Sequence, residues 1–309
     1  MNPSAPTVSL GLPVYNGEEF LAQAIESCLN QTYEDFELVI SDNASTDATK
    51  DICKKYVGLD NRVRYTRTSQ NIGASENFNR VFRQSQSPYF KWVAHDDLMT
   101  ADYLQRCVEV LQEESSVALV HSRVRFIDET GNDVERKSPH AETASSLYPA
   151  ASTKQWSPNP VQRFESFLFE PASCYQIFGL MRRSALEKTT LHRPFYGADR
   201  LLVAQMSLLG RLYQLPDALF FRRCHSNQST SLPTPRERTE WITGRAAGPF
   251  VFPQWHLFKG YVAAVLSADL SATERLRGLG TVLKAGARPE KLRRLVVPGP
   301  HNYFGIGAG

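Results

Sequence analysis

The stretch TVSLGLPVYNGEEFLAQAIESCLN, residues 7–30, joins a strand pattern directly to a helix pattern. Its first eight residues are mostly apolar or small, which is typical of a strand buried on both faces of a parallel sheet. After a short polar turn, apolar side chains return at helical spacing, at Phe20, Leu21, Ala24, Ile25, Cys28 and Leu29. This order predicts a buried strand that leads into an amphipathic helix packed against it.

The same order of patterns recurs through the first hundred residues. Three further strand patterns, each followed by a helix pattern, are FELVIS (36–41), VRYTRT (63–68) and PYFKWVA (88–94). Strands that alternate with helices pair in parallel, because each helix returns the chain to the start of the next strand. We therefore predict an α/β fold with a mostly parallel central sheet and flanking helices.

The second part of the chain is less regular. A strand pattern at 117–128 is followed by residues 129–160, whose Ser, Thr, Pro and charged residues predict a long loop or insertion. Two short strands are predicted on either side of Pro216. Helices are predicted near the C-terminus over 253–268, 272–285 and 288–295. We expect residues 1–232 to form the α/β domain and residues 233–309 to form a C-terminal helical extension.

The composition is that of an ordinary globular chain of 309 residues with a formal net charge of +3. So weak a positive charge gives no argument for a nucleic-acid partner. The five cysteines are scattered and lack a CxxC pair, which argues against a disulfide framework or a zinc site and favours a reducing compartment. The N-terminus has no signal-peptide pattern, and no apolar run reaches the ~20 residues of a membrane span. A cytoplasmic protein is expected.

Polar clusters follow the four strand patterns of the first hundred residues. They are PVYNGEE (13–19), SDNASTD (41–47), RTSQNIG (67–73) and AHDD (94–97). In an open parallel sheet, ligands bind beyond the carboxyl ends of the strands, so four polar clusters at one edge predict a ligand site there. None of the clusters contains GxGxxG, and the usual dinucleotide fingerprint is therefore missing.

Asp96 and Asp97 are adjacent carboxylates at the end of the apolar run KWVAHDDLM, residues 91–99. Neighbouring carboxylates repel each other, so the pair costs stability unless positive charge or water is close. A bound cation, a nearby Arg or Lys, or solvent at a loop tip would each meet that need. The residue types alone leave all three open.

The four clusters and two later segments together resemble family 2 glycosyltransferases with the GT-A fold. The resemblance spans about residues 7–231 and is carried by LPVYNGEEFLAQAIESCLNQTY, LVISDNASTDAT, NIGASENFNRVF, YFKWVAHDDL, GADRLLVAQMSLLG and FFRRCHSNQST. It implies that a sugar is transferred from a nucleotide-diphosphate donor to an acceptor hydroxyl, with inversion at the anomeric carbon. It also implies that residues 1–100 bind the nucleotide sugar and that residues 101–232 bind the acceptor and carry out catalysis.

On this resemblance, Asp96 and Asp97 correspond to an acidic metal-binding motif. A departing nucleoside diphosphate accumulates negative charge, which a divalent cation, Mg²⁺ or Mn²⁺, would neutralise. Many relatives carry another acidic residue two positions before the pair, where this chain has Ala94; Asp97 is the expected direct ligand. His225 matches a further metal ligand of some relatives, and a hydrogen-bonded loop histidine is the alternative. For the two aspartates, the alternative is a solvated turn.

The resemblance also implies a nucleotide pocket. Asp42 matches the residue that hydrogen-bonds the base, which slightly favours a uridine or thymidine carrier; the alternative is an Asx-turn that opens DNASTD. The other residues expected to line the pocket or approach the donor are Pro13, Tyr15, Asn16, Asn71 and Gly73. Asp96 and Arg222 are expected near the donor phosphates. Because Arg222 and Arg223 point in opposite directions along a strand, at most one of them should face the site.

Asp199 lies in the segment GAD, before a helix pattern, and matches the catalytic carboxylate of the family. An inverting transfer needs such a group to remove the proton of the acceptor hydroxyl. Relatives usually have Glu immediately before it, where this chain has Ala198. An aspartate at a helix start is also favoured by the helix dipole alone, so the structural alternative remains open.

Two alternative functions are open at this point, one an enzyme of related type and one from a different class. A nucleotidyltransferase would also bring a metal and a nucleotide together at this edge. It should, however, show a Gly-rich basic phosphate loop after the first strand, where PVYNGEE is acidic. A catalytically inactive GT-A-like binding or scaffold protein would account for Ala94 and Ala198.

The C-terminal segment 271–295 is rich in basic residues, namely Arg275, Arg277, Lys284, Arg288, Lys291, Arg293 and Arg294. It predicts either a solvated helical face or a peripheral contact with the inner membrane face, beside a lipid-linked acceptor. The expected partners are a UDP- or TDP-sugar and a saccharide or lipid-linked saccharide, with no nucleic acid. The expected setting is cell-surface polysaccharide or glycoconjugate synthesis.

Overall fold

A computed structural model describes residues 6–137, 144–145, 153–169, 174–248 and 252–287. The strands in these ranges are β1 (Val8–Val14), β2 (Phe36–Asp42), β3 (Val63–Arg67), β4 (Tyr89–Trp92), β5 (Leu98–Met99), β6 (Val117–Ile127), β7 (Arg136–Lys137), β8 (Ala144–Ser145), β9 (Leu180–Arg182) and β10 (Arg211–Arg223). The predicted helix over 288–295 and part of the predicted loop over 129–160 lie outside the described residues.

The α-helices alternate with these strands in the first half of the chain and cluster at its end. They are α1 (Leu21–Leu29), α2 (Thr49–Leu59), α3 (Ala74–Arg83), α4 (Tyr103–Glu113), α5 (Pro160–Phe169), α6 (Arg183–Leu186), α7 (Ala198–Leu209), α8 (Pro235–Thr243), α9 (Pro253–Ser267) and α10 (Ala272–Gly286). Among these described helices, none is both long and apolar enough to cross a membrane.

Eight strands form one sheet in the order β3-β2-β1-β4-β9-β6-β10-β5. Strands β3, β2, β1 and β4 pair in parallel, and β10 pairs in parallel with β6. Within this sheet, β9 and β5 run antiparallel to their neighbours. The predicted α/β fold, with a mostly parallel central sheet and flanking helices, is confirmed.

Strand β4 shows how both faces of the sheet are covered. Phe90 and Trp92 pack in an apolar cluster with residues of α3, α5 and α7, whereas Tyr89 packs in a second cluster with residues of α1, α2 and α4. Successive side chains of a strand point to opposite faces, so each face of the sheet has its own apolar layer. Burial on both faces explains why the strand sequences are apolar almost throughout.

The helices after β10 are packed onto this α/β core. Leu257 of α9 and Val282 of α10 are buried in the same cluster as Phe164 of α5 and Leu202 of α7. The segment predicted as a C-terminal extension thus contains three helices where it is described, and α9 and α10 are continuous with the core. The domain boundary at residues 232–233 stays a prediction.

The prediction of two short strands around Pro216 is wrong. Strand β10 is continuous beside β6, and its register shifts between Gln214 and Ala218. This irregularity accommodates Pro216, because proline has no N–H to give to the ladder. Since β6 and β10 run in the same direction as β4, Arg222 and Arg223 arrive at the edge of the sheet where β4 ends.

Candidate active site

The polar clusters that follow β1, β2, β3 and β4 lie together at the carboxyl edge of the sheet. The side-chain amide of Asn43 donates to Asn71 Oδ1 at 2.9 Å, which joins the second cluster to the third. Asn16 Oδ1 accepts a hydrogen bond at 2.8 Å from the main chain of the second cluster. Gly17 packs on His95 so closely that a Cβ at this glycine would lie 2.7 Å from the imidazole ring. The four loops therefore form one continuous surface.

The carboxylate of Asp42 is buried and bonded on both oxygens. Oδ1 accepts from the main-chain N–H of Ser45 at 2.8 Å, and Oδ2 accepts from the Tyr65 hydroxyl at 2.8 Å and from Arg67 Nη1 at 3.0 Å. Burial and the bond to Asp42 raise the pKa of Tyr65, which keeps its hydroxyl a donor. The main-chain bond comes from three residues on, whereas that of an Asx-turn comes from two residues on, so Asp42 orders its own loop without the predicted Asx-turn bond. A base contact by Asp42 stays a prediction.

The loop after β1 holds three predicted pocket residues in different environments. Pro13 is buried within β1, whereas Tyr15 and Asn16 are exposed at the edge of the sheet. Asn16 has φ of 50°, in the left-handed region that asparagine tolerates better than most residues, and its N–H donates to Ser45 Oγ at 2.9 Å. The tyrosine ring is thus free to meet a ligand, while Asn16 shapes the loop.

Asn71 and Gly73, the other predicted donor-site residues, form a tight turn before α3. Asn71 Oδ1 accepts from the N–H of Gly73 at 2.8 Å, and Gly73 has φ of 82°. A Cβ on Gly73 would overlap the main chain of Thr243 at the end of α8, where Gly244 also has a positive φ of 65°. Glycine is therefore needed at position 73 both for the turn and for the close contact with α8.

Asp96 and Asp97 are 8% and 2% exposed, so the alternative of a solvated turn is wrong. Arg222 Nη1 lies 3.3 Å from Asp97 Oδ1 and 3.7 Å from Asp96 Oδ2, and His225 Nε2 lies 2.9 Å from Asp96 Oδ2. The main-chain N–H of Arg223 donates to Asp97 Oδ1 at 2.9 Å. Of the two arginines, Arg222 directs its guanidinium to the carboxylates, as strand alternation predicts. An arginine thus supplies positive charge to the pair.

The environments of the two carboxylates separate their pKa values. Burial would raise the pKa of Asp96, but His95, the hydrogen bond from His225 and the guanidinium of Arg222 together hold it below its ordinary value. Burial raises the pKa of Asp97; Arg222 opposes this rise and the charge of Asp96 adds to it. Asp97 is therefore the carboxylate that would gain more from an additional positive charge.

The pair also fits a divalent cation. Asp97 Oδ2 is buried and has no hydrogen-bond partner in the described part of the chain, which is rare for a carboxylate oxygen. No group of three or more His, Cys, Asp or Glu side chains within the described ranges could hold a metal ion. Mg²⁺, however, needs only one or two protein carboxylates when phosphate oxygens and water complete its octahedron. The residues fit a cation shared with a bound diphosphate rather than a closed protein cage.

Arg223 supports the aspartate pair through hydrogen bonds of its guanidinium to main-chain oxygens. The sequence did not predict this role. Its Nε donates to the main-chain oxygen of Asp96 at 3.0 Å, and its Nη2 donates to Gln23 Oε1 at 2.7 Å. Its Nη1 donates to the main-chain oxygens of Asp128 at 3.1 Å and Glu129 at 2.7 Å. One fully buried guanidinium therefore ties the turn after β4 to α1 and to the end of β6.

Asp199, the predicted catalytic residue, lies in the first turn of α7. It follows Gly197, whose φ of 91° allows the chain to turn sharply into the helix. The side chain is half-buried, and burial raises its pKa although the Arg200 guanidinium opposes the rise. A carboxylate with a raised pKa is suited to taking up a proton. The role of Asp199 in catalysis stays a prediction.

Lys91 is a buried cation that the sequence did not single out. Its side chain is directed to the opposite face of β4 from Trp92, and it is 1% exposed. Its Nζ donates to the main-chain oxygen of Phe178 and lies 4.7 Å from the centre of the Tyr103 ring. Burial lowers the pKa of Lys91 to about 8. The lysine is therefore held in the core with no carboxylate bonded to it in the described residues.

Residues 9–190 match the family model described as Glycosyl transferase family 2, which covers more than half of the chain. The chain belongs to glycosyl transferase family 2. The resemblance on which the predicted site rests is thus confirmed at the level of the family.

Shorter segments are similar to individual proteins. An uncharacterized glycosyltransferase of Haemophilus influenzae is 32% identical over 130 residues, which are 42% of this chain and 52% of that protein. The chondroitin synthase of Escherichia coli is 32% identical over 127 residues, 41% of this chain and 18% of the synthase. The putative teichuronic acid biosynthesis glycosyltransferase TuaG of Bacillus subtilis is 31% identical over 110 residues, 36% and 44% of the two chains. The matched segment spans about half or less of these relatives.

Solved structures of glycosyltransferases match almost the whole chain. Residues 1–349 of S. aureus TarS, in complex with UDP-GlcNAc, match with a TM-score of 0.64 at 15% identity over 94% of this chain and 78% of that one. The mannosyltransferase PcManGT of Pyrobaculum calidifontis, in complex with GDP-Man and Mn²⁺, matches with a TM-score of 0.53 at 15% identity over 91% and 74%. At such low identity the likeness concerns the fold, and the predicted GT-A fold is confirmed.

Proposed function

We propose that this protein is a metal-dependent, inverting glycosyltransferase that moves a sugar from a nucleotide-diphosphate donor to an acceptor hydroxyl. The observation that carries the proposal is the buried pair Asp96–Asp97, with Arg222 beside both carboxylates and Asp97 Oδ2 unpartnered in the described residues. Membership of the family supports sugar transfer as the reaction.

Asp96 and Asp97 are the residues that would hold Mg²⁺ or Mn²⁺ together with the donor diphosphate. His225 stays a predicted further ligand, and its Nε2 lies 2.9 Å from Asp96 Oδ2. When bound, the cation would neutralise the negative charge that the departing nucleoside diphosphate accumulates. Arg222 already lies among these side chains and would donate hydrogen bonds to the same phosphates. Arg223 keeps the aspartates at the edge of the sheet through its bond to the main chain of Asp96.

Asp199 is the proposed base. In a single displacement, the acceptor oxygen bonds to the anomeric carbon while the bond to the diphosphate breaks on the opposite face of the sugar, and the configuration inverts. The hydroxyl proton passes to the carboxylate of Asp199 as that oxygen attacks. The raised pKa of Asp199 supports this assignment, because it makes the carboxylate a better proton acceptor.

The donor nucleotide is proposed to lie over the ends of β1, β2 and β3, within residues 1–100. The nucleotide that carries the donor sugar is proposed to be UDP or TDP. Asp42 and Arg67 line this region, and Tyr15 is exposed there. TarS was solved with UDP-GlcNAc and with UDP, and PcManGT with GDP-Man and Mn²⁺, which supports a nucleotide-sugar donor and a divalent cation.

The acceptor is proposed to be a saccharide or a lipid-linked saccharide, bound by residues 101–232 at the cytoplasmic side of a membrane. Two relatives are a chondroitin synthase and a putative teichuronic acid biosynthesis enzyme, which supports a role in cell-surface polysaccharide or glycoconjugate synthesis. The second candidate is a catalytically inactive binding protein. Ala94 and Ala198 favour it, because the resemblance to the family implies acidic residues at both positions.

Mass spectrometry of products from a panel of nucleotide sugars, with Mn²⁺ present, tests the proposal. Asp199→Asn should bind the donor like the wild type and transfer sugar about a hundredfold more slowly or worse, because the base is lost. Asp51→Asn, which changes an exposed aspartate in the first turn of α2, is the matched control and should leave the rate unchanged. An undiminished rate in Asp199→Asn would remove Asp199 from the mechanism. Nucleotide binding without turnover of any donor would favour the inactive binding protein.

A further inference from the structure

The outer face of α9 and α10 exposes large apolar side chains to water. Trp255 and Leu266 on α9 are 47% and 53% exposed, and Leu276 and Leu283 on α10 are 73% and 61% exposed. Single exposed hydrophobic residues are common on soluble proteins. Four on two neighbouring helices form a patch, and such patches mark interaction surfaces.

The helical period places each pair of these residues on one face. Leu276 and Leu283 are two turns apart on α10, and Trp255 and Leu266 are three turns apart on α9. The other faces of the two helices are buried in the core, through Leu257, Tyr261, Val265, Val282 and Ala285. Both apolar stripes therefore point away from the core.

Helices α9 and α10 pack so closely that the two stripes form one surface. Gly278 faces Val265 and Gly286 faces Phe258, and a Cβ at these glycines would lie 2.9 Å and 3.1 Å from the partner side chains. The order of these contacts makes the helices antiparallel. The exposed side chains of α9 and α10 thus lie side by side, and we call this surface the outer patch.

Basic side chains border the outer patch. Lys259, Arg277 and Lys284 are all exposed. Within the two helices, the one acidic side chain is Glu274, which is bonded to Ser271 in a capping box. An apolar stripe bordered by cations is typical of helices that lie in the interface of an anionic bilayer, with the cations against lipid phosphates and tryptophan at headgroup level.

The outer patch begins near the segment that leads into α7. His256, the neighbour of Trp255, stacks on the ring of Phe195 with the ring centres 5.3 Å apart. From Phe195 the chain leads within four residues to Asp199 at the start of α7. A membrane surface on the outer patch would therefore meet the protein next to the segment that leads into the proposed base.

We propose that the outer patch docks the protein on an anionic lipid surface. Trp255, Leu266, Leu276 and Leu283 insert among the headgroups, and Lys259, Arg277 and Lys284 contact the lipid phosphates. Docking itself is independent of the proposed function. The corollary that the acceptor is lipid-linked rests on the proposed function.

Co-sedimentation of the full chain with large unilamellar vesicles tests docking. The protein should sediment with phosphatidylcholine vesicles that contain phosphatidylglycerol and remain in the supernatant with phosphatidylcholine alone. Leu276→Ser with Leu283→Ser should weaken partitioning about tenfold or more, because two inserted side chains are lost. Arg277→Gln with Lys284→Gln should weaken it about twenty-fivefold at low ionic strength, since each cation near an anionic surface contributes roughly fivefold.

Helix α2 provides matched controls on another surface. Val57→Ser with Leu59→Ser, and Lys50→Gln with Lys54→Gln, remove the same kinds of exposed side chain and should leave binding unchanged. The proposal is overturned if the wild type does not sediment with anionic vesicles, or if the α2 variants lose as much binding as the α10 variants. It is also overturned if the wild type is a dimer without lipid that the leucine pair converts to a monomer, because a second copy of the chain would then cover the patch. None of these assays contains nucleotide or sugar, so a failure of docking is distinguishable from a failure of the proposed reaction.

Discussion

Arg223 and Asp96 are joined through the main chain, because the Nε–H of Arg223 donates to the carbonyl oxygen of Asp96 at 3.0 Å in a fully buried setting. The same guanidinium reaches Gln23 on α1 and the main chain at the end of β6. The side chain of Arg223 thus contacts no carboxylate oxygen of the aspartate pair. It instead holds the main chain of Asp96 in place at the edge of the sheet. Its role in the proposed reaction is that of a positioning residue.

Replacement of this guanidinium should lower the affinity of the site for its divalent cation. We expect Arg223→Lys to raise the Mn²⁺ concentration for half-maximal activity about tenfold or more, because a lysine cannot bond to all of these groups at once. Arg163→Lys is the matched control, since Arg163 is also buried and donates to the main-chain oxygens of Ser207 and Ser157. Both variants should lose about 2–4 kcal/mol of unfolding free energy. The same Mn²⁺ dependence in both would show that Arg223 is only structural.

Because of Arg222, the thermal stability of the protein without nucleotide should not depend on metal. Because its guanidinium already balances Asp96 and Asp97, EDTA should leave the Tm of the wild type unchanged. Arg222→Met leaves the buried pair without this charge, and we expect it to lose about 3–5 kcal/mol of unfolding free energy in EDTA. Mn²⁺ should restore part of that loss, because it binds the folded state. Thermal unfolding with EDTA and with Mn²⁺ measures both effects. A variant as stable as the wild type in EDTA would contradict this role.

The contact between Gly73 and Gly244 should couple α8 to the turn of Asn71 and Gly73, which we call the donor loop. Gly244→Ala places a Cβ against the main chain of Gly73 at a φ of 65°, so we expect a loss of about 1–3 kcal/mol and weaker nucleotide binding. Gly58→Ala on α2 is the control, because a Cβ there meets open space. Calorimetry with UDP and chemical unfolding measure the two effects. Unchanged nucleotide affinity in a destabilised Gly244→Ala would mean that α8 does not shape the donor loop.

Lys91 should contribute to the free energy of unfolding a term that rises with pH. Its pKa is about 8 in the folded protein against 10.5 in its ordinary state, so between these values the unfolded chain binds more protons and the free energy of unfolding increases with pH. The rise attributable to Lys91 is up to about 3 kcal/mol. Lys91→Met should remove it and be at least as stable as the wild type at neutral pH, since the carbonyl of Phe178 keeps the Tyr103 hydroxyl as a donor at 3.2 Å.

Urea unfolding from neutral pH to pH 10.5 compares the wild type with Lys91→Met. Lys54→Met, an exposed lysine on α2, serves as the control for the change of residue type. Parallel pH dependences in the wild type and Lys91→Met would show that the lysine keeps an ordinary pKa in the fold.

The parallel half of the fold was predictable because burial on both faces leaves a continuous apolar signature in β1, β2 and β4. Strand β5, of two residues, carries no such signature, since so short a run has no readable period. Pro216 misled the interpretation of β10, because the irregularity that accommodates it arises from pairing with β6. Tertiary pairing, rather than local propensity, decided that strand.

Within the site, the sequence revealed the side chains that stand at strand ends and missed those that support them. Tyr65 and Arg67 could have been found, because they are two residues apart on the strand next to Asp42 and so share one face. Arg223 could not, because most of its acceptors are main-chain oxygens, which every residue carries. Lys91 likewise sits in an apolar pattern, and its burial follows from the packing of Tyr103 and Phe220 around it.

The central claim is that Asp97 helps to hold a divalent cation with the diphosphate of the donor. Isothermal titration calorimetry with UDP, TDP and GDP, in Mn²⁺ and in EDTA, tests it most directly on the wild type, Asp97→Asn and the exposed control Asp51→Asn. We expect at least one nucleotide to bind the wild type and the control in Mn²⁺, with affinity about tenfold or more lower in EDTA and in Asp97→Asn. Equal affinity in EDTA and Mn²⁺, or undiminished Mn²⁺-dependent binding by Asp97→Asn, would contradict the claim.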